Sequence, residues 1–417
     1  MKEPYIKLPW AAWFGDHELE LQMPESWRVH VCNMRNAPAL SAEQMRSALQ
    51  NLIAAPPLRE MVRGCKTVVI AVDDLSRPTP THVLLPHLLE ELFAGGIQSE
   101  NISFVISLGS HTALTRDDLI KKLGAEIVAN YRVHNHDCNG ELVDLGTSVG
   151  KVPVRLNAEF MAADFKILLG SVVPHAFAGF SGGAKMVLPG LSNIESIEWT
   201  HKAVMMGLRG KAGTLEGNRF RAEFERVARH AGVQLSINVV VNGTREIAGI
   251  FAGDIEAAHR AGAQFASEVY ATPLPEEPFD VVILNAYPKD DELLQAENAL
   301  MFHHTAPTSY LKDDGVMLMA SACSLGMGHH GLFGPEQRLY RTPMKKGFLG
   351  GRLLAAFMPG VTTEEFYKIY WEGYPHFRVW EEAVAFLHER YPNGASVGVL
   401  PWGSIQIFLQ DETTLRE

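Results

Sequence analysis

The sequence of 417 residues has no long apolar run, few cysteines and no excess of positive charge. No apolar stretch is long enough to span a bilayer, and residues 1–20 lack the apolar core of a signal peptide. The formal net charge of −11 argues against a surface for nucleic acid or anionic membranes. The lysine pairs at 121–122 and 345–346 are interpreted as solvated surface. We therefore expect a cytoplasmic protein that binds neither nucleic acid nor membrane.

The cysteines exclude several kinds of site. They are widely scattered and form no CxxC pair: Cys32, Cys65, Cys138 and Cys323. This spacing argues against a zinc ribbon, an iron–sulfur site and a disulfide framework.

Apolar residues are plentiful, and strand patterns alternate with helix patterns. The run KTVVIAVDD at 66–74 shows no apolar–polar alternation, which is typical of a strand buried on both faces of a parallel sheet. Further strands are predicted at 18–32, 101–111, 164–170, 234–243, 279–288, 315–323 and 396–404. Helices are predicted at 42–52 after an N-capping Ser41, at 82–94 before the stop signal Gly95-Gly96, and at 115–123, 216–229, 255–269, 291–301, 362–370 and 378–387.

This alternation predicts an α/β protein with two doubly wound domains, mainly parallel sheets, and an active site in the cleft between them. The proline-rich acidic segment 272–278 is the expected boundary. Residues 1–271 would form the first domain and residues 279–400 the second. The tail at 401–417 is predicted to return to the first domain.

Polar side chains follow several of the predicted strands. They are Asp73, Asp74, Arg77, His111, His175 and the segment YPKDDELLQ at 287–295. Ligands of open α/β sheets bind beyond the carboxyl ends of the strands, so these side chains are expected to line one site. Arg77 could bind a carboxylate or phosphate through two hydrogen bonds. Alternatively, 72–80 is a turn whose aspartate caps the next helix.

His111 and His175 occupy equivalent positions after two strands. A single histidine is more often a core or capping residue, but two such residues suggest an acid/base pair, since imidazole titrates near neutral pH. On opposite faces of a substrate carbon, the pair could exchange protons from either side. A racemase requires that geometry.

The glycine-rich segment 179–190 carries Lys185 but fails the P-loop pattern, because Lys185 precedes Met186 rather than Ser or Thr. A flexible loop with a solvated lysine and a lysine bonded covalently to a cofactor are the alternatives. His201 could bind a metal only if a cofactor supplied the other ligands. The rival histidine clusters lack an acid or cysteine at ligand spacing: 134–136, 303–304 and 329–330.

Together these segments resemble the nickel-pincer lactate racemase family, most strongly between Val69 and Asn298. The matching pieces are Asp74-Leu75-Ser76-Arg77-Pro78, GlySerHis at 109–111, ProHis at 174–175, GlyPheSerGlyGlyAlaLys at 179–185, LeuProGly at 188–190, His201, and AsnAlaTyrPro at 285–288 with Gln295. Their combination in this order is highly specific, although no single piece is.

The resemblance implies a cofactor, nickel(II) pyridinium-3,5-bisthiocarboxylate mononucleotide, bonded covalently to Lys185 and supplied by cofactor-synthesis enzymes. His201 would be the protein ligand of nickel. Residues 74–77 (Asp74, Leu75, Ser76 and Arg77) would hold the nucleotide, with Arg77 also binding the substrate carboxylate. The first domain would thus carry the cofactor and the acid/base residues.

The resemblance also implies a mechanism and a substrate class. One of His111 and His175 would remove the hydroxyl proton of a 2-hydroxy acid while the C2 hydrogen leaves as hydride to the cofactor, and the other would deliver a proton after hydride return. Gln295 and Asn298 would bind substrate. Lactate-active members carry lysine where Asn298 stands, and arginine is frequent where Thr112 stands. We therefore expect a 2-hydroxy acid other than lactate.

Two rival functions remain. A phosphate-binding α/β transferase would use Lys185 as a point charge, and a non-catalytic carrier of nickel or cofactor would keep Lys185 and His201 without turnover.

Overall fold

The computed structural model describes residues 5–205, 210–273, 275–306 and 310–408. It divides into two compact units, one of residues 37–267 and one of residues 1–36 with 268–417. No helix among the described residues is long and apolar enough to cross a membrane.

The strands, in chain order, are β1 (Tyr5–Trp10), β2 (His17–Gln22), β3 (Arg28–Val31), β4 (Val68–Asp73), β5 (Ile102–Ser107), β6 (Arg132–Asn135), β7 (Leu142–Val149), β8 (Val152–Asn157), β9 (Phe165–Ser171), β10 (Pro174–His175), β11 (Gly179–Phe180), β12 (Leu235–Val241), β13 (Ile247–Gly253), β14 (Ala271–Thr272), β15 (Phe279–Asn285), β16 (Leu311–Ala320), β17 (Leu353–Phe357), β18 (His376–Phe377), β19 (Ser396–Leu400) and β20 (Ile407–Phe408).

The helices are α1 (Ala42–Gln50), α2 (Leu58–Met61), α3 (Thr81–Ala94), α4 (Arg116–Leu123), α5 (Ala125–Asn130), α6 (Ala158–Ala162), α7 (Ile194–Met205), α8 (Arg219–His230), α9 (Ala257–Val269), α10 (Met301–Thr305), α11 (Thr363–Ile369) and α12 (Trp380–Arg390). Single 3₁₀ turns occupy Ser99–Asn101, Gly183–Met186, Ala296–Leu300 and Gly347–Leu349.

The unit of residues 37–267 is built on a six-stranded sheet in the order β13-β12-β9-β4-β5-β6. All neighbours are parallel except β12 and β13. Every residue of β4, β9 and β12 is buried, which explains their lack of alternation, since helices cover both faces. The expected α/β class with mainly parallel sheets is confirmed.

The second unit has a six-stranded sheet in the order β18-β17-β16-β15-β19-β3, and all of its neighbours are parallel. Its outer strand β3 lies beside β19 and comes from the N-terminal segment. Asp290 also accepts hydrogen bonds from the amides of Ala11 and Ala12, at 2.8 and 3.1 Å.

The unit boundaries therefore differ from the predicted domains. The first 36 residues belong with the C-terminal unit rather than with the segment up to residue 271, because β3 completes a sheet whose other strands lie far along the chain. The described part of the tail belongs to the same C-terminal unit, where β20 pairs with β14. Residues 409–417, also part of that prediction, lie outside the described residues.

Local signals in the sequence were reliable for several helices. Ser41 forms a capping box with Gln44 at the start of α1, as expected of an N-cap. The helix predicted at 291–301 is instead a 3₁₀ turn followed by the short helix α10.

Candidate functional site

Three neighbouring parallel strands of the unit 37–267 bring the polar residues to one sheet edge. The strands β5, β4 and β9 run in the same direction, so their carboxyl ends meet. Asp74 follows β4, His111 follows β5, and His175 follows β9. The predicted placement of these residues just beyond strand ends is confirmed.

Asp74 and His111 are joined by a hydrogen bond. The distance from His111 Nδ1 to Asp74 Oδ2 is 2.6 Å, and Ser76 donates to Asp74 Oδ1 through its N–H at 3.1 Å and its hydroxyl. Burial favours the neutral acid, but the positive charge and hydrogen bond of His111 outweigh it and hold the pKa of Asp74 below its usual range. The carboxylate can only accept, so His111 Nδ1 carries a proton, and in the neutral form of the ring the lone pair is on Nε2.

His175 holds its proton on the other nitrogen. It lies in the short hairpin of β10 and β11, where it faces Gly179. Its Nδ1 lies 3.5 Å from the amide nitrogen of Phe177 and 3.3 Å from that of Ala178. Backbone N–H groups only donate, so Nδ1 accepts and the proton of the neutral ring is on Nε2. The two imidazoles are thus in opposite tautomers.

Arg77 lies close enough to Asp74 for its charge to lower the pKa of that carboxyl. Its Nη1 donates to the carbonyl of Ser76 at 2.9 Å and to the Ser76 hydroxyl at 3.0 Å. The side chain of Leu75 is buried, so the residue can meet a ligand chiefly through its backbone. The guanidinium is a donor suited to a carboxylate or phosphate.

Lys122 is hydrogen-bonded to the loop of residues 73–77. Its side chain is fully buried, so the interpretation of residues 121–122 as solvated surface is wrong for Lys122. The ammonium pairs with Asp73 Oδ1 at 2.7 Å and donates to the carbonyls of Asp74 at 2.9 Å and Arg77 at 3.2 Å. Burial lowers the pKa of Lys122, and the charge of Asp73 opposes that shift.

Replacing Lys122 with methionine is expected to lower the free energy of unfolding by about 3–5 kcal/mol, because it leaves the buried Asp73 carboxylate without its counter-charge. Urea unfolding measures the change. The matched control is Lys121→Met, which removes a partly exposed pair with Asp118 and should cost within about 1 kcal/mol. Equal losses in the two variants would contradict the supporting role of Lys122.

Lys185 lies on the 3₁₀ turn Gly183–Met186, which begins with one glycine and is preceded by another. Gly182 and Gly183 have φ of 72° and 54°, which side chains other than glycine rarely adopt. Burial, together with the positive charges of Arg77 and Arg221, lowers the pKa of Lys185 to about 7. Asp74 acts in the opposite direction. A large fraction of this amine is therefore neutral and nucleophilic near pH 7.

His201, on α7, has the arrangement of a histidine metal ligand. Its Nδ1 lies 2.8 Å from the carbonyl oxygen of Ile197, which can only accept, so the lone pair is on Nε2. Burial lowers the pKa of His201 to about 4 against the effect of that hydrogen bond, and the charges of Lys185 and His111 add to the shift. The ring stays neutral at physiological pH and suits a metal.

Phe177 connects His175 with His201. Its ring meets both edge-on, with centroid distances of 4.4 Å to His175 and 5.8 Å to His201. The structure thus brings Asp74, Arg77, His111 and His175 together with Lys185 and His201 in one unit.

No group of three or more His, Cys, Asp or Glu among the described residues could hold a metal by itself. The rival histidines have other partners. His134 pairs with Glu159 at 2.5 Å, and His303 Nδ1 lies 2.8 Å from the Tyr310 hydroxyl. His330 accepts from the amide of Leu332.

Gln295 and Asn298 belong to the other unit. The Asn298 amide donates to the Gln295 carbonyl at 2.8 Å and to Gln295 Oε1 at 3.0 Å. The neutral Asn298 therefore orients the Gln295 side chain.

Sequence reasoning missed Lys122, Phe177, Arg221 and the contact of Asp74 with His111. Lysine is usually a surface residue and phenylalanine is usually a core residue, so the residue types of Lys122 and Phe177 did not indicate a role in the site. The partners of Lys122, Arg221 and His111 lie far away in the sequence, so spacing could not reveal these contacts.

Residues 14–213 match the family described as the lactate racemase N-terminal domain. A lactate racemase from Thermoanaerobacterium thermosaccharolyticum is 32% identical over 296 residues, which are 69% of this chain and 67% of that protein. A lactate racemase from Lactiplantibacillus plantarum is 30% identical over 294 residues, 70% of this chain and 68% of that protein.

Solved structures agree on the fold. The lactate racemase apoprotein from Thermoanaerobacterium thermosaccharolyticum matches with a TM-score of 0.73 at 24% identity. The match covers 98% of this chain and 100% of that chain. A protein from Thermotoga maritima has a TM-score of 0.67 at 17% identity, covering 90% of this chain and 100% of that chain.

Proposed function

Because the chain belongs to the lactate racemase family and is an isomerase of the racemase or epimerase type, we propose that it inverts C2 of a 2-hydroxy acid. The observation that carries this proposal is the pair of imidazoles in opposite tautomers at one sheet edge. His111 is bonded through Nδ1 to the Asp74 carboxylate, whereas His175 accepts at Nδ1 from the Ala178 amide, so the two rings are held with different proton patterns. An inversion through a planar keto acid needs one group to take the hydroxyl proton and another to return it.

The residues present fit the nickel(II) pyridinium-3,5-bisthiocarboxylate mononucleotide. Lys185 is an amine that is partly neutral near pH 7, as covalent attachment requires. The hydrogen bond from His201 Nδ1 to the Ile197 carbonyl fixes the ring with its proton on Nδ1, the tautomer in which Nε2 can ligate a metal. The described residues lack a metal site of three or more ligands, so the cofactor would have to supply the others. When bound, this group would accept and return the C2 hydride.

The protein would handle orientation and proton traffic. Arg77 would bind the substrate carboxylate through parallel hydrogen bonds. His111 Nε2 would accept the hydroxyl proton, and Asp74 would stabilise the resulting imidazolium through the 2.6 Å contact. His175 would protonate the oxygen after the keto group is reduced, and it would do so from its imidazolium form, because a neutral ring would be left as an imidazolate.

Intact mass and nickel analysis test this proposal. The protein would be produced in cells together with the cofactor-synthesis enzymes. We propose that it works in the cytoplasm. A covalent mass increase on Lys185 with about one nickel per chain is expected, since one histidine serves one cofactor-bound metal. Nucleotide dependence without a covalent adduct would indicate the phosphate-binding transferase instead. A loaded protein that turns over no 2-hydroxy acid would indicate the carrier.

Position 298 leads us to propose a substrate other than lactate, such as a longer, polyhydroxylated or aromatic 2-hydroxy acid. Asn298 is neutral and bonded to Gln295, so it supplies no cation for a substrate anion. In a panel of 2-hydroxy acids, lactate is expected to have a kcat/KM at least about tenfold below that of the best substrate. The reason is that the loss of one hydrogen bond to a charged group lowers binding by about that factor. Asn298→Lys should raise the kcat/KM for lactate relative to the others. Lactate as by far the best substrate of the unmodified protein would refute the proposal.

A further inference from the structure

Every backbone carbonyl from residue 178 to residue 182 accepts a hydrogen bond. The Arg221 guanidinium donates to the carbonyls of Ala178 at 3.4 Å, of Phe180, and of Gly182 at 3.2 Å. His259 Nε2 lies 2.8 Å from the carbonyl oxygen of Ser181, and the Gly213 amide donates to Gly179 at 3.0 Å. We name residues 178–182 the braced segment. It ends three residues before Lys185.

Arg221 and His259 are both buried, with 1% of each residue exposed. They come from two different helices, α8 and α9. A buried guanidinium is expensive unless its donors are satisfied, and burial lowers the pKa of Arg221 to about 10. Burial also lowers the pKa of His259 well below its usual range, so its ring is neutral. The Arg221 guanidinium is therefore charged, whereas the His259 ring is neutral.

Close packing leaves the braced segment little freedom to shift. A Cβ atom on Gly183 would lie 2.7 Å from His259 Cδ2, and one on Gly182 would lie 2.9 Å from the Ser171 carbonyl oxygen. Both glycines have positive φ. Gly182 and Gly183, together with the side chains of Arg221 and His259, fix the backbone that leads into Lys185.

We propose that Arg221 and His259 are positioning residues, which hold the braced segment so that the Lys185 amine is presented before any cofactor arrives. The proposal rests on the proposed function for the identity of what Lys185 binds, whereas the bracing itself does not. The two helices thus contribute to cofactor attachment without touching the reacting atoms. The side chain of Arg221 adds a second effect, since its charge lowers the pKa of the amine.

Two measurements on the cofactor-free protein test the proposal. The first is hydrogen exchange of peptides covering residues 177–187. The second is the pH midpoint of Lys185 acetylation by acetic anhydride, read by peptide mass spectrometry. The charged groups acting on this amine are Arg77, Arg221 and Asp74. The midpoint in the unmodified protein is expected near pH 7, with faster labelling above it.

Arg221→Met is expected to speed exchange in this segment by about tenfold or more, as lost hydrogen bonds to a charged donor predict, and to raise the acetylation midpoint. Arg221→Lys should restore the lower midpoint but not the full protection, because an ammonium keeps the charge and lacks the planar fork. His259→Leu should speed exchange with a smaller change in midpoint, since the lost donor is neutral. His259→Gln should restore protection in part.

The matched control is Arg226→Met on the same helix. Arg226 is exposed and bonds to Glu223, Thr147 and Ser148, so both readouts should stay at the values of the unmodified protein. Unchanged exchange and midpoint in Arg221→Met and His259→Leu would overturn the proposal, as would protection lost evenly over residues 37–267. Because no cofactor is used, these results are independent of the mass analysis that tests the proposed function.

Discussion

Lys185→Ala is expected to abolish the covalent mass increase and the bound nickel, and to lower turnover by about 10⁴-fold or more, because the proposed cofactor would carry the redox step. Alanine has no amine to form the bond. Lys185 has no role in the sheet, since it lies on a single 3₁₀ turn after strand β11, so the protein should still fold. Intact mass, metal analysis and the racemisation rate measure the three losses.

Two control variants make this result specific. Lys211→Ala removes an exposed lysine and should leave mass increase, nickel and turnover unchanged. Lys185→Arg keeps a positive charge without a nucleophilic amine, so it should fail like alanine. A Lys185→Ala protein that still carries the covalent adduct and nickel would refute attachment at this residue.

Asp74→Asn is expected to lower kcat by about 10²- to 10⁴-fold, the range for loss of a correctly protonated acid/base group. An asparagine can donate its N–H to His111 Nδ1, which would move the ring proton to Nε2 and remove the lone pair proposed to accept the hydroxyl proton. Cofactor loading should be unchanged, because Lys185 and His201 are intact. Steady-state kinetics of the nickel-loaded variant measure the loss.

The loading of this variant separates two roles of Asp74. The resemblance assigns Asp74 to the nucleotide, whereas both of its oxygens are already bonded to Ser76 and His111 in the structure. A variant with normal kcat but less bound cofactor would favour the nucleotide role and contradict the orienting role. Asp117→Asn, at an exposed aspartate in the first turn of α4, is the control and should behave like the unmodified protein.

Local sequence patterns predicted the parts of the fold that depend on neighbouring residues. The buried strand β4 was visible because its side chains do not alternate, and the capping box at Ser41 marked the start of α1. Strand ends then located His111 and His175. The association of strand β3 with β19 was not predictable in this way, since the partners are separated by most of the chain.

Buried charges were the other part that the sequence did not reveal. Lys122 and Arg221 belong to residue types that are usually exposed, and nothing beside them marks them as internal. The Asp73 counter-charge of Lys122 and the carbonyl acceptors of Arg221 are distant in sequence and become neighbours only in the folded unit. The candidate site residues were therefore predictable from motifs, whereas the residues that hold them in place became visible only in the folded structure.

The placement of β3 in the C-terminal sheet sets an order of events during synthesis. The segment 37–267 has all the strands of its sheet once residue 253 has left the ribosome. Strand β3 is made earlier than any of these strands, yet its neighbour β19 emerges only with residues 396–400. Domains generally fold as units while the chain is being made. The unit that contains Lys185 and His201 can therefore assemble first, while the N-terminal segment waits for its partner strand.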